Sequence, residues 1–106
     1  MNRFDVFLVA LDPTLGSEIK KTRPCLIVSP DEANRHLATV IVAPMTTTER
    51  AYPTRVGITF QKKRGQVALD QIRAVDRQRL VRKLGVAPAQ AAEAVSSILV
   101  EMFTRR

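Results

Sequence analysis

Aromatic residues are scarce in this chain: it has no Trp, one Tyr and four Phe in 106 residues. That leaves little for the stacking platforms of general single-strand nucleic-acid binders, with Phe60 and Tyr52 the side chains available for the purpose. Histidine and cysteine are scarcer still, one of each, His36 and Cys25. No cluster at zinc-ligand spacing and no intrachain disulfide can be built from them, and Ser-His-Asp catalysis lacks support. A lone cysteine in an apolar stretch reads as a core thiol in a reducing compartment. Neither GxxxxGK[ST] nor GxGxxG occurs, which removes phosphate-loop and dinucleotide sites. No apolar run approaches the roughly 18 residues of a membrane span. Met1 leads toward a strand without a cationic, apolar leader, so the expected location is cytoplasmic, with no membrane anchor.

Acidic side chains are also in deficit, ten Asp and Glu against seventeen Lys and Arg, for a net charge of +7. Such a balance favours a polyanion or an acidic protein as partner and says nothing of catalysis. The positive charge concentrates at Lys62, Lys63, Arg64, Arg73, Arg77, Arg79, Arg82 and Lys83, opposed only by Asp70 and Asp76. This density suits phosphate contacts, and it also suits an ordinary solvated face.

What is present is a series of short, β-branched-rich apolar segments. Residues 5–11 are apolar at both parities, which predicts a strand covered on both faces, and residues 24–29 and 37–43 follow as second and third strands, the latter ending at Pro44. Residues 30–36 are a polar excursion with room for one helical turn. Residues 45–53 contain three consecutive Thr and read as a surface loop, because buried hydroxyls there would lack partners. The fourth strand alternates, with Val56, Ile58 and Phe60 on one face and Arg55, Gly57 and Thr59 on the other. Residues 61–65 read as a basic turn, 67–75 as a fifth strand carrying Asp70, Gln71 and Arg73, and 80–84 as a sixth, ended by Gly85. A helix opening near Pro88 carries Ala92, Val95, Leu99 and Met102, with Ala91, Ile98 and Phe103 beside them, at the 3.6 period. With no repeat, linker or low-complexity tract, residues 1–106 are expected to form one domain. The predicted fold class is mainly β, a small antiparallel β-barrel with a C-terminal helix.

Between the first two strands runs Asp12-Pro13-Thr14-Leu15-Gly16-Ser17-Glu18-Ile19-Lys20-Lys21-Thr22-Arg23-Pro24. Asp12-Pro13 starts a turn and Gly16 admits a positive φ, so Glu18 and Arg23 are expected to project from a loop held by flanking strands. This run is followed in order by Asn34-Arg35, Ala43-Pro44-Met45-Thr46, Tyr52-Pro53 and Gly65-Gln66-Val67-Ala68-Leu69-Asp70-Gln71-Ile72-Arg73. Together these segments resemble the MazF/PemK (Kid) toxin family over nearly the whole chain. The resemblance implies an SH3-like barrel of the Kid/CcdB type and the toxin of a type II toxin–antitoxin system. It implies a homodimeric, sequence-selective endoribonuclease that cleaves single-stranded RNA with no metal and no cofactor. Its protein partner would be an acidic, partly disordered antitoxin covering the basic groove.

RNA supplies its own nucleophile, the 2′-hydroxyl. Cleavage to a 2′,3′-cyclic phosphate and a 5′-hydroxyl then needs a base for that proton, a cation for the phosphorane charge and a proton for the leaving oxygen. Glu18 fits the base. Arg23 fits the cation, since a guanidinium matches phosphate oxygens bidentately and stays charged. Against this stands the plain alternative that a Glu and an Arg on one loop are a solvated pair. The resemblance adds Thr46 as a hydroxyl on the scissile phosphate. The expected RNA contacts are Ser17, Lys20 and Lys21 beside the pair, Thr47 and Thr48 beside Thr46, then Lys62, Lys63, Arg64, Asp70, Gln71 and Arg73. Asp70 and Gln71 read as residues that satisfy a turn, with base contacts or orientation of Arg23 as their alternative role, and His36 reads as a loop residue.

The chain departs from the family pattern at Phe4, Ile19, Lys20-Lys21-Thr22 and Ala68. Some members carry an arginine at the position of Ala68, and any catalysis carried there is then absent or falls to Arg23. Two other classes stay open: a CcdB-like non-enzymatic inhibitor of a protein such as DNA gyrase, and a nucleic-acid-binding module with a lapsed site. Neither requires both Glu18 and Arg23.

Overall fold

The computed structural model describes residues 1–106. Its strands are β1 (Asp5–Ala10), β2 (Thr22–Ile27), β3 (Thr39–Thr46), β4 (Arg55–Phe60), β5 (Lys63–Ala68), β6 (Arg73–Asp76) and β7 (Leu80–Val86). A short helix α1 (Asp31–His36) precedes β3, and α2 (Ala89–Phe103) ends the chain. The sheet order is β4-β5-β3-β2-β1-β7, with β6 beside β3, and every pairing is antiparallel. The sheet curls into a half-barrel whose outer strands approach one another. Gln61 Nε2 donates to the Leu84 carbonyl at 3.1 Å, and a Cβ on Gly85 would come within 3.0 Å of the Phe60 ring. The expected mainly β barrel with a C-terminal helix is the architecture observed.

Curling gives the sheet two apolar faces. Val6, Leu26, Ala43, Val56, Ile58, Val67 and Leu69 meet Ala87, Ala91 and Val95, while Val9, Leu11, Cys25, Ile27, Val40, Val42 and Val75 form a second cluster. The double burial explains why β1 reads as apolar at both parities, with Val6 in one cluster and Val9 in the other, whereas on β3 the opposite-parity Ile41 is 40% exposed. Cys25 is a core thiol, pushed up to about 12 by burial despite the nearby Arg23 and Arg73 cations. On α2, Ile98, Leu99 and Met102 join the buried Ala91 and Val95, but Phe103 is 70% exposed, so it does not belong to the packed face. Asn34 ties α1 to the sheet: its amide donates to the Ser29 carbonyl at 2.9 Å, and Ser29 Oγ accepts from the Ile41 N–H at 3.1 Å. Both buried polar side chains are thereby satisfied.

β3 is the hub of the sheet. One edge pairs with β2 through Val42, Ala43 and Pro44, and the other pairs with β6 from Thr39 to Val42 and then with β5 at Met45 and Thr46. From Val42 to Met45 β3 advances three residues, while its partner runs back six, from Arg73 to Val67. The surplus is a 3-10 turn, Leu69–Gln71, looped off the ladder. The fifth strand expected over residues 67–75 is therefore two strands, and the interruption releases Asp70 and Gln71 from the sheet.

Four further boundaries differ from expectation. The turn after β4 is only Gln61 and Lys62, at φ 50° and 65°, so Lys63 to Gly65 already belong to β5. β7 continues through Gly85 to Val86. Pro24 and Pro44 lie inside strands, opposite Leu8 and Cys25, so β2 starts before its proline and β3 runs past its own to Thr46.

Gly65 lies where β5 crosses Thr46: a Cβ there would sit 2.7 Å from the Thr46 carbonyl oxygen. Gly65→Ala is expected to push β5 off Thr46 and destabilise the fold by about 1–3 kcal/mol. A thermal melt checks this, and an unchanged midpoint would show that the backbone yields freely.

Candidate active-site groove

The loop between β1 and β2 is fixed at its base by guanidinium groups. Arg73 Nη1 donates to the Leu11 carbonyl at 3.0 Å, and Arg79 Nη1 donates to the Ala10 and Asp12 carbonyls at 3.1 and 2.5 Å. The Leu11 N–H closes the neck by donating to the Lys21 carbonyl at 3.0 Å. At the tip, the Glu18 N–H donates to the Leu15 carbonyl at 3.0 Å and the Glu18 carboxylate accepts from the Leu15 N–H at 2.5 Å. Gly16, at φ 52°, permits that tight reversal. Gln71 reaches across from its 3-10 turn and grips the chain on both sides of Glu18. Its Oε1 accepts from the Ile19 N–H at 2.6 Å and its Nε2 donates to the Ser17 carbonyl at 3.4 Å.

Arg23 is not on this loop: it is the second residue of β2, opposite Val9. Its Nε donates to the Lys20 carbonyl at 2.9 Å, and its two terminal nitrogens make no hydrogen bond within the chain. Thr46 is the last residue of β3 rather than part of a surface loop, and its Oγ1 accepts from the Thr48 N–H at 3.1 Å.

Glu18, Arg23 and Thr46 line one open groove of about 540 Å³. Ser17, Lys20, Thr48, Asp70 and Gln71 line it with them. A cleft of about 860 Å³ continues past Glu18 to Arg73, and a cavity of about 310 Å³ shares Arg23 and Thr46. Met45, Ile58 and Phe60 supply the apolar lining of that cavity, with Thr47, Lys63 and Arg64 beside them. Lys21 and Lys62 line none of the three; both are exposed turn residues, at φ 73° and 65°. The dense basic set also divides. Arg73, Arg77 and Arg79 each donate to a main-chain carbonyl, and Lys83 lies 3.4 Å from the buried Asp5 carboxylate, so these four also tie strands and loop together.

Arg55 is the groove residue that sequence reasoning missed. Alternation put it on the polar face of β4, yet its side chain is only 7% exposed. Its Nε and Nη2 donate to Asp70 Oδ1 and Oδ2 at 2.7 and 3.1 Å, and the Tyr52 ring centroid lies 5.2 Å from its guanidinium carbon. Asp70 also accepts from Thr54 Oγ1 at 3.1 Å. The carboxylate therefore orients Arg55, not Arg23, which corrects one of the roles expected for it. Arg55 stands directly opposite Ala68 across the β4–β5 ladder, so a guanidinium occupies the neighbourhood of the position that lacks one in sequence. The signal that would have found it is the strand register, which follows from a two-residue hairpin at Gln61-Lys62.

The Arg55 hydrogen bond holds the Asp70 carboxyl below its ordinary 3.8, outweighing partial burial. A depressed folded pKa means that the contribution is present above the unfolded value and is lost as pH falls through the folded one. Asp70→Asn is thus expected to lower stability near neutrality and to flatten the acid decline. Melts of both proteins from about pH 6 to about pH 2.5 check this, and identical slopes would contradict it.

No three His, Cys, Asp or Glu side chains converge at metal-ligating spacing, and no helix is long and apolar enough to cross a membrane.

The model of the PemK-like, MazF-like toxins of type II toxin–antitoxin systems matches residues 2–103. An "Endoribonuclease MazF" of Staphylococcus saprophyticus is 40% identical over 90 residues, which cover 79% of this chain and 75% of that protein. Among solved structures, MazF of Deinococcus radiodurans superimposes with a TM-score of 0.84 at 26% identity, over 96% of this chain and 94% of that one. A mycobacterial endoribonuclease solved with its cognate antitoxin gives 0.82 at 26% identity, over 100% and 99%.

Proposed function

This chain belongs to the PemK-like, MazF-like toxin family of type II toxin–antitoxin systems, and we propose that Glu18, Arg23 and Thr46 carry out its endoribonuclease reaction on single-stranded RNA without a metal ion. The observation that supports this is their convergence: three residues from the loop, from β2 and from the end of β3 line one groove. The scissile phosphate sits between Arg23 and Thr46. Glu18 takes the 2′-hydroxyl proton as the 2′-oxygen attacks phosphorus. The free terminal nitrogens of Arg23 receive the charge that builds on the non-bridging oxygens. Thr46 Oγ1 already accepts from the Thr48 N–H, which leaves its own hydrogen to donate to a phosphate oxygen. The bond from phosphorus to the 5′-oxygen then breaks, and that oxygen takes a proton from water in the open groove.

Ser17, Lys20, Thr47, Thr48, Lys63 and Arg64 contact the RNA strand from the groove and its flanking cavity. The protein acts in the cytoplasm as a homodimer, and an acidic antitoxin competes for the same positively charged surface. A non-enzymatic inhibitor or a lapsed binding module would not need a carboxylate, a guanidinium and a hydroxyl facing one groove.

The test is to incubate purified protein with a long single-stranded RNA in EDTA and to map the ends. Discrete cuts bearing cyclic phosphate and 5′-hydroxyl termini are expected. No cleavage by the folded protein, or cleavage only after a divalent ion is restored, would overturn the proposal.

A further inference from the structure

We propose that Tyr52 is a base-stacking platform for one nucleotide next to the scissile phosphate, mounted on the Arg55–Asp70 pair; this rests on the ribonuclease reading of the groove. The ring belongs to the wall that holds Glu18, Arg23 and Thr46, and it is the aromatic side chain of that wall. The residue is 49% exposed, yet its backbone is pinned. Its carbonyl accepts from the Arg55 N–H at 3.0 Å. Nearby, the Arg50 N–H donates to Gln66 Oε1 at 3.0 Å while Gln66 Nε2 donates to the Arg50 carbonyl at 3.1 Å.

Beneath the ring, the Arg55 guanidinium is 5.2 Å away and clamped through two nitrogens to Asp70. An exposed tyrosine on a free loop is ordinary surface. One whose ring lies over a cation, itself 7% exposed and held by a carboxylate, is fixed before any ligand arrives. A preorganised ring loses little entropy when a second plane settles on it. Unstacked RNA bases are the planar groups that single-strand readers take in this way, on aromatic rings and guanidinium planes. Phe60 does not compete for the role in this groove: it lines the neighbouring cavity, with its ring against Gly85.

Tyr52 is the single tyrosine of a chain without tryptophan, so intrinsic emission reports this ring alone. Short single-stranded RNAs made non-cleavable by 2′-deoxy sugars are titrated into wild type while emission and the anisotropy of an end-labelled strand are followed together. Saturable quenching is expected. An abasic site introduced at successive positions should abolish quenching at one position only and weaken wild-type binding there about tenfold, the order of one base–aromatic stack. Tyr52→Leu should bind the intact and that abasic RNA equally, and Tyr52→Phe should restore the preference. Unchanged emission at full anisotropy, or a further loss of affinity by Tyr52→Leu on the same abasic RNA, overturns the stack. Quenching without cleavage of the all-ribose strand overturns the ribonuclease reading alone, and no RNA binding by the folded protein overturns both.

Discussion

Arg23→Lys is expected to lower kcat by about a hundred- to a thousandfold while leaving the fold and most of the affinity for RNA in place. The charge survives the substitution, so the attraction supplied by a +7 chain is nearly unchanged. The geometry does not survive. Arg23 is set on β2 opposite Val9 and its Nε is tied to the Lys20 carbonyl, which leaves two terminal nitrogens as a fixed, planar pair of donors. An ammonium on a flexible stem offers neither the fork nor the tether, so its charge is not preorganised where the phosphorane forms. Steady-state kinetics on a short RNA checks the split. A rise in KM with kcat untouched would assign Arg23 to ground-state binding instead.

That argument depends on a placement the sequence conceals. Read from residue types, Arg23 belongs to a polar loop because Pro24 looks like the first residue of a strand. In the fold, β2 accommodates Pro24 opposite Leu8 and begins at Thr22, so the catalytic cation is proposed on a rigid element rather than a mobile one. Pro44 misleads in the same way, hiding the extension of β3 that carries Thr46. Proline cannot donate to a ladder, and each of these stands where one pairing is missing: Pro24 lies just beyond the β2–β3 register, and Pro44 falls in the gap between the β6 and β5 pairings of β3.

The long apolar and alternating elements were legible because their periodicity is set by the same burial that forms the core: β1, β4 and α2 lie where their patterns put them, and so does β3 up to Pro44. The interruption between β5 and β6 was not legible, since Leu69 is buried and Asp70 exposed and the pair mimics strand alternation. Only the pairing of both flanks with β3 exposes the looped-out turn, and that is a long-range fact. Charge counting alone could not show which cations also hold the backbone. A guanidinium bonded to a carbonyl, as in Arg73 or Arg79, has the same residue type as one facing solvent, and nothing local distinguishes them. The convergence of Glu18, Arg23 and Thr46 was expected on family resemblance; the role of Gln71 in holding the loop came from the fold alone.

Glu18→Gln is the sharper test of the chemistry, because it removes the proposed base and little else. The amide oxygen can still accept from the Leu15 N–H, so the turn at the loop tip keeps its closing hydrogen bond. Gln71 still grips Ser17 and Ile19, since both contacts are to backbone. What is lost is the group proposed to take the 2′-hydroxyl proton, and kcat is expected to fall by about a hundred- to ten-thousandfold with KM nearly constant. Gln71→Ala makes the complementary change: the carboxylate stays and its position is released, so a smaller loss in kcat is expected, again without a matching change in KM. Retention of near-wild-type cleavage by Glu18→Gln would mean that another group takes the proton, and Arg23 and Thr46 would then act on phosphate alone. If Glu18 and Arg23 serve one transition state, the variant lacking both should lose little more than the worse single variant, because a cation has less charge to stabilise once proton transfer has failed. Fully multiplicative losses would instead mean that the two residues contribute to that transition state independently of each other.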